Sequence, residues 1–166
     1  MRRRDFLKLA GAVSLAGCAT TSTPSKARVV VVGGGFCGAT AAKYIRMWDP
    51  SIDVVRVERD TEFFSCPISN LVLAGYTGMP EITRGRDGLR RHGVQLVRDE
   101  VTAIDAAKKS VRLASGGEIA YERLIVSPGI DFTFGDLQGY EAAIADGSVL
   151  HAWKAGAQTV ALRRQL

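Results

Sequence analysis

The stretch RVVVVGGGFCG at residues 28–38 determines the predicted fold class. Its first part, residues 28–32, is a continuous β-branched run, which is typical of a strand buried on both faces of a parallel sheet. The glycines then satisfy the pattern G-x-G-x-x-G with Gly33, Gly35 and Gly38, and a helical pattern begins at Phe36. Strand, glycine turn and helix in this order predict the first βα unit of an α/β, Rossmann-like domain.

Such a turn predicts a dinucleotide site. Gly33 permits the tight turn, Gly35 lets the backbone approach a pyrophosphate, and Gly38 allows close packing of the helix on the strand. The free N–H groups and the dipole at the helix N-terminus favour phosphate. Glu58 ends the next predicted strand and is placed to accept hydrogen bonds from a ribose 2′-hydroxyl. The residues expected to bind the cofactor here are Gly33, Gly35, Phe36, Gly38, Glu58 and Arg59.

The remaining pattern predicts an α/β domain with a parallel sheet and an antiparallel β-meander. Ala41, Ala42, Ile45 and Trp48 are expected on the buried face of the first helix. Further parallel strands are predicted at 53–58, 94–97 and 124–127, meander strands at 101–104, 110–113 and 118–121, and helical stretches after residue 66, at 81–92 and at 154–166. Residues 132–148 show no clear period.

The charge distribution argues against nucleic-acid binding. The formal net charge is +5, but Arg2, Arg3, Arg4 and Lys8 against Asp5 place +3 of it in the first eighteen residues. The rest of the chain has 18 basic and 16 acidic residues without a basic stripe. Nucleic-acid binding needs clustered cations, so that class is excluded.

The first 27 residues are predicted to be an export signal and tether. Arg3 and Arg4 precede Phe6-Leu7-Lys8, a pattern similar to the twin-arginine signal. The apolar stretch that follows is shorter than the roughly 20 residues needed to span a bilayer. Two processing sites stay open: lipidation at Cys18, which would be the only membrane attachment, or conventional cleavage near residues 25–27. Both place the protein in the periplasm.

The cysteines and histidines do not form a metal site in the sequence. Cys18, Cys37 and Cys66 lack CxxC spacing, and His92 and His151 have no companion at ligand spacing. No metal is therefore expected. Cys37 is predicted to be a spectator, because the motif requires only the glycines.

The glycine pattern alone does not separate FAD from NAD. Two later features favour FAD. The three meander strands and the turn at Pro128 and Gly129 occupy the places of the meander and of the second nucleotide-contacting turn in flavoproteins that bind two dinucleotides, such as the disulfide reductases. We therefore add Pro128 and Gly129 to the expected FAD contacts.

At this point the chain resembles the flavin subunit of flavocytochrome c sulfide dehydrogenase. The resemblance runs in order along the chain and includes the N-terminal signal. It rests on residues 32–36, 38–44, 49–52, 65–67, 69–72, 87–90, 121–124, 127–130 and 151–156.

The resemblance implies a FAD-dependent enzyme that oxidises sulfide and passes electrons to a cytochrome c subunit. It implies a thioether between Cys66 and the flavin's benzenoid-ring methyl. It also implies that residues 28–150 are the N-terminal part of the FAD-binding domain, and that the helix in 151–166 leads into an NAD-like domain missing from this chain. The domain is thus expected to be incomplete, with no catalytic residue here, since the family's redox disulfide lies in the missing part.

Two alternatives remain open at this stage. One is another enzyme on the same fold, a sulfide:quinone or NADH-type flavin oxidoreductase. The other is a catalytically silent remnant that binds a nucleotide or nothing.

Overall fold

A computed structural model describes residues 25–166. The predicted signal, the twin arginines and Cys18 lie outside these residues. The described chain forms a four-stranded parallel sheet of order β5-β2-β1-β9 and a separate three-stranded antiparallel sheet, β6-β7-β8. The predicted fold class, a parallel sheet with an antiparallel meander, is therefore confirmed.

The strands of the described chain are β1 (Ala27–Val32), β2 (Ile52–Val57), β3 (Phe63–Phe64), β4 (Thr83–Arg84), β5 (Gln95–Val97), β6 (Val101–Asp105), β7 (Ser110–Leu113), β8 (Glu118–Ala120) and β9 (Arg123–Val126). The helices are α1 (Phe36–Trp48), α2 (Ser69–Leu73), α3 (Met79–Ile82), α4 (Asp87–Arg90), α5 (Tyr140–Ala145) and α6 (Ala157–Gln165), with a 3₁₀ turn at Cys66–Ile68. No helix within residues 25–166 is long and apolar enough to cross a membrane.

The parallel sheet is covered on both faces, which explains the unbroken valine run of β1. Val29 and Val31 pack with Ala42 of α1 on one face. Val30 packs on the other face against Val111 of the meander. Because successive side chains of a strand point to opposite faces, a sheet with two covered faces needs apolar residues at every position.

A third apolar cluster supports the segment around Cys66. Val72 of α2, Ile82 of α3 and Ala155 are buried together, with Phe64 against them. The Ser65 N–H donates to the Ile82 carbonyl oxygen at 2.8 Å. This cluster holds the 3₁₀ turn beside the chain that precedes α6.

Two sequence expectations were wrong in detail, and one further segment has a helix that no sequence pattern indicated. The predicted helical stretch at 81–92 is interrupted, because residues 83–84 form β4, which pairs with β3 in an antiparallel ladder. Trp48 was expected on the buried face of α1 but is 79% exposed, because it is the last residue of that helix. Its ring lies against that of Tyr44, with 5.6 Å between the centroids. Within residues 132–148, which showed no period, the structure has the short helix α5.

Candidate dinucleotide site

The glycine turn joins β1 to α1 in a conformation that requires glycine. Gly33 has φ +102°, and a Cβ there would lie 2.0 Å from the Ser127 carbonyl oxygen. A Cβ on Gly38 would lie 2.2 Å from the Gly33 carbonyl oxygen. These contacts agree with the expected roles of Gly33 in the turn and of Gly38 in the close packing of helix and strand.

Gly35 is different, because the space beside it is open. The nearest atom to a Cβ at this position is Cε2 of Phe63, at 3.7 Å. Phe36, which starts α1, packs edge-on against the same Phe63 ring, with centroids 4.8 Å apart. No crowding within the described protein accounts for glycine at position 35, which leaves room for a ligand.

The turn faces a cavity of about 740 Å³. Seven of the predicted cofactor-binding residues line it together: Gly33, Gly35, Glu58, Arg59, Cys66, Pro128 and Gly129. Phe36 and Gly38 do not line it; Phe36 is 55% exposed and Gly38 is buried behind the turn. The carboxyl ends of β1, β2 and β9 meet at this edge of the sheet, where open α/β sheets bind their ligands.

Glu58 is held at the cavity wall by its neighbours. Its Oε1 accepts a hydrogen bond from the Asp60 N–H at 3.1 Å, and its Oε2 lies 3.5 Å from Nη1 of Arg86. The side chains of Glu58 and Arg86 are only 17% and 12% exposed. The carboxylate therefore has a fixed position at the end of β2.

A second arginine lies close to this pair. Arg56 of β2 is 1% exposed, and its Nε and Nη2 have no hydrogen-bond partner among residues 25–166. Burial lowers the pKa of the Arg56 guanidinium, and the Glu58 carboxylate partly opposes that shift. A cation buried without a partner is costly, so its neighbourhood favours an anion.

Cys66 lies at another part of the same cavity. Its Sγ accepts a hydrogen bond from the Ala155 N–H at 3.2 Å and lies 3.7 Å from the Trp153 carbonyl oxygen. The thiol belongs to an exposed residue and is not in a disulfide. Cys37 is also exposed and free, but it does not line the cavity.

Lys154 and Asp131 form an ion pair at the cavity wall near Cys66. Their Nζ and Oδ1 atoms are 3.4 Å apart. The Phe132 N–H, followed by Lys154, holds the pKa of the Asp131 carboxyl below its usual range. Both side chains are mostly solvent-exposed, so the pair adds little to the stability of the fold and its main effect is to place charged groups at the cavity wall.

Sequence reasoning missed Arg56, Arg86, Asp131 and Lys154 as cavity residues. The signal for Arg56 is a charged residue within the valine run of β2, at a position where a neighbour on the same face, Val54, is fully buried. Arg86 lies far from the glycine turn in sequence, so no local pattern indicates it. Within residues 25–166, no three His, Cys, Asp or Glu side chains are arranged to hold a metal ion.

Comparison with known proteins assigns this arrangement to a family. Residues 27–160 match the pyridine nucleotide-disulphide oxidoreductase family. The chain is 64% identical over 45 residues to the sulfide dehydrogenase [flavocytochrome c] flavoprotein chain of Chlorobaculum thiosulfatiphilum, a match that covers 27% of this chain and 94% of that sequence. It is 30% identical over 144 residues to the mitochondrial sulfide:quinone oxidoreductase of Mus musculus, covering 84% of this chain and 32% of the mouse protein.

Solved structures show the same fold. The sulfide:quinone oxidoreductase of Aquifex aeolicus superposes with a TM-score of 0.72 at 20% identity, covering 83% of this chain and 31% of that one. The chain thus spans about a third of the length of the longer proteins it matches.

Proposed function

The chain belongs to the pyridine nucleotide-disulphide oxidoreductase family, and on that premise we propose that it is the FAD-holding part of a sulfide-oxidising flavoenzyme. One observation carries the proposal: the glycine turn, Glu58 and Cys66 all line a single cavity. A nucleotide and a free thiol therefore have access to the same space. The similarity to a sulfide dehydrogenase flavoprotein chain and to a sulfide:quinone oxidoreductase supports sulfide as the substrate.

The residues present fit a flavin dinucleotide. The open space beside Gly35 is where the backbone would approach a pyrophosphate, and a Cβ would occupy that space. Glu58 offers a carboxylate to a ribose, and buried arginine N–H groups nearby lack acceptors. Cavity volume and open backbone therefore agree with one extended dinucleotide ligand.

Each part of the cavity has its own task in this proposal. The N-terminus of α1 and the turn would bind phosphate, and Glu58 would select a ribose without a 2′-phosphate by accepting its hydroxyl hydrogens. Pro128, Gly129, Lys154 and Asp131 would border the flavin ring near Cys66. FAD, when bound, would supply the redox chemistry by accepting two electrons from reduced sulfur.

We further propose that Cys66 holds the flavin covalently. A C–S bond would form as the S–H bond of the thiol and one C–H bond of the benzenoid-ring methyl break, and the two protons and two electrons released would pass to dioxygen, which becomes hydrogen peroxide. The Ala155 N–H hydrogen bond to Sγ aims the sulfur, and Pro67 restricts the backbone that follows it. A thioether would prevent loss of a cofactor that cannot easily be replaced after export.

The electron acceptor we propose is a cytochrome c subunit, and the location is the periplasm. The acceptor follows from the similarity to a flavocytochrome c flavoprotein chain. The proposed location is supported by Arg3 and Arg4 in the twin-arginine pattern, a route that exports proteins already folded around a cofactor. A quinone acceptor is the second candidate, favoured by the match to mouse sulfide:quinone oxidoreductase over 84% of this chain.

The visible absorption spectrum of the purified protein tests the proposed function. We expect the two absorption bands of an oxidised flavin, and we expect anaerobic sulfide to bleach them in the full-length protein. A chain that binds no flavin would refute the proposal. Reoxidation of the bleached protein by cytochrome c or by a soluble quinone would distinguish the two acceptors.

A further inference from the structure

The three charged side chains beneath Gly34 form an arrangement that a Rossmann turn does not require. A Cβ on Gly34 would lie 2.0 Å from Nη2 of Arg56, 2.1 Å from Nη1 of Arg86 and 2.6 Å from Oε2 of Glu58. Two guanidinium groups and one carboxylate therefore converge on the backbone of the glycine turn. Gly34 occupies a variable position of the motif, and a side chain there would displace the ends of these three long side chains.

The charges of this cluster do not balance. Among the ion pairs of residues 25–166, Glu58 is the acidic partner of Arg86, and Arg56 has none. Nε and Nη2 of Arg56 and Nε and Nη1 of Arg86 are buried and donate to no hydrogen-bond acceptor in this part of the chain. Among the three groups beneath Gly34 one positive charge is in excess, although Asp60, Glu62 and Asp87 also border the smaller neighbouring cavity. The excess charge lies next to a turn whose backbone N–H groups attract anions.

Arg86 has access to the nucleotide cavity, whereas Arg56 lies behind it. Arg86 lines the large cavity together with Gly33 and Gly35, and its Nη2 donates to the Glu62 carbonyl oxygen at 2.9 Å, which fixes the guanidinium. Arg56 borders only the adjoining cavity of about 370 Å³. The planar fork of a guanidinium matches the geometry of phosphate oxygens.

We propose that Arg86, backed by the buried charge of Arg56, is a phosphate-binding residue of the dinucleotide site. Glu58 is then the counter-ion of Arg86 in the free protein and the ribose acceptor in the bound one. This inference rests on the proposed dinucleotide site and adds to it a residue that binds the phosphates. It predicts that Arg86 recognises the phosphates of the nucleotide and not its nucleoside.

Calorimetry with ADP and with adenosine separates these two roles. The protein is used free of flavin, in a Cys66→Ser background in which no thioether can form. Arg86→Gln is expected to weaken ADP binding by roughly tenfold to a hundredfold, the loss of a charged hydrogen bond, and to leave adenosine binding unchanged. Glu58→Gln, in contrast, should weaken adenosine binding, and should weaken ADP binding by no more than that, because it also releases Arg86 from its counter-ion.

Two further variants keep the test decisive. Arg84→Gln is the matched control, because Arg84 is exposed, lies two residues away and lines neither cavity. Arg86→Lys keeps the charge but lacks the planar guanidinium. It should weaken ADP binding by less than Arg86→Gln does, and it replaces that variant in the comparison if Arg86→Gln does not fold. Equal losses for ADP and adenosine, or no loss for ADP, would overturn the inference while the nucleotide site stands. A parent protein that binds neither FAD nor ADP would refute both.

Discussion

Gly33 and Ser127 touch across β1 and β9: a Cβ on Gly33 would lie 2.0 Å from the Ser127 carbonyl oxygen. The Ser127 N–H donates to the Val32 carbonyl oxygen at 2.8 Å, and its hydroxyl donates to the same oxygen at 3.1 Å. Two turns distant in sequence are thereby joined at one edge of the sheet. Because of this contact the fold needs glycine at position 33, whereas the space beside Gly35 stays open for a ligand.

Gly33→Ala is expected to destabilise the fold. Alanine at φ +102° is strained, and its Cβ would collide with backbone that is held by β9. We expect the free energy of unfolding to fall by at least about 2 kcal/mol. Urea unfolding followed by circular dichroism measures this, and an unchanged midpoint would contradict the described turn.

Gly35→Val should leave the fold intact but abolish flavin binding. The position has no described neighbour closer than 3.7 Å to a Cβ, so the side chain enters the cavity rather than the core. The melting temperature should stay near that of the parent while flavin content is lost. Glu58→Gln is the milder comparison, with binding weakened by about 1–3 kcal/mol for one hydrogen bond. Flavin content equal to the parent's in Gly35→Val would remove the case for this turn.

Replacing Arg56 should stabilise the nucleotide-free protein. Arg56 is 1% exposed, and its Nε and Nη2 have no described partner, so its burial costs free energy. Arg56→Met keeps much of the volume without the charge, and we expect about 1 kcal/mol or more of added stability. Arg84→Met, at an exposed position, should change little. A destabilised Arg56→Met would show that the charge is balanced within the protein itself.

Acid should weaken the turn between α1 and β2 through Asp49. The hydroxyl and then the N–H of Ser51 hold the pKa of the Asp49 carboxyl below its usual range. This contribution is therefore complete above the unfolded pKa of about 3.9 and is lost as the pH falls through the lower folded value. Asp49→Asn should lower the urea midpoint at pH 7 but not below the folded pKa. An identical pH dependence in both proteins would contradict the assignment.

The export route makes a separate prediction about the N-terminus. Replacing Arg3 and Arg4 by lysine should leave the precursor in the cytoplasm, because the twin-arginine pathway requires the arginine pair. Cell fractionation and immunoblotting measure the distribution. Unchanged delivery to the periplasm would mean that this signal assignment is wrong.

The parallel sheet and the glycine turn could be predicted because short local sequence patterns indicate both. The valine run of β1 and the G-x-G-x-x-G spacing each span only a few residues, and the structure has both where the sequence indicated. The break at Thr83 could not be predicted, because it depends on pairing with Phe64 nineteen residues earlier. The cluster of Arg56 and Arg86 was missed for the same reason: thirty residues separate two side chains that meet only at Gly34.

The attachment of flavin at Cys66 is the most direct test of the account, because it depends on the cavity, the cofactor and the thiol together. The purified protein is precipitated with acid, digested, and the peptide containing Cys66 is weighed by mass spectrometry. We expect yellow colour in the pellet and the mass of FAD or its flavin fragment on that peptide. Cys66→Ser should release the flavin into the supernatant, and Cys37→Ser, at an exposed thiol outside the cavity, should not. Flavin that acid extracts completely from the unaltered protein would contradict covalent attachment, and a protein without any flavin would contradict the site itself.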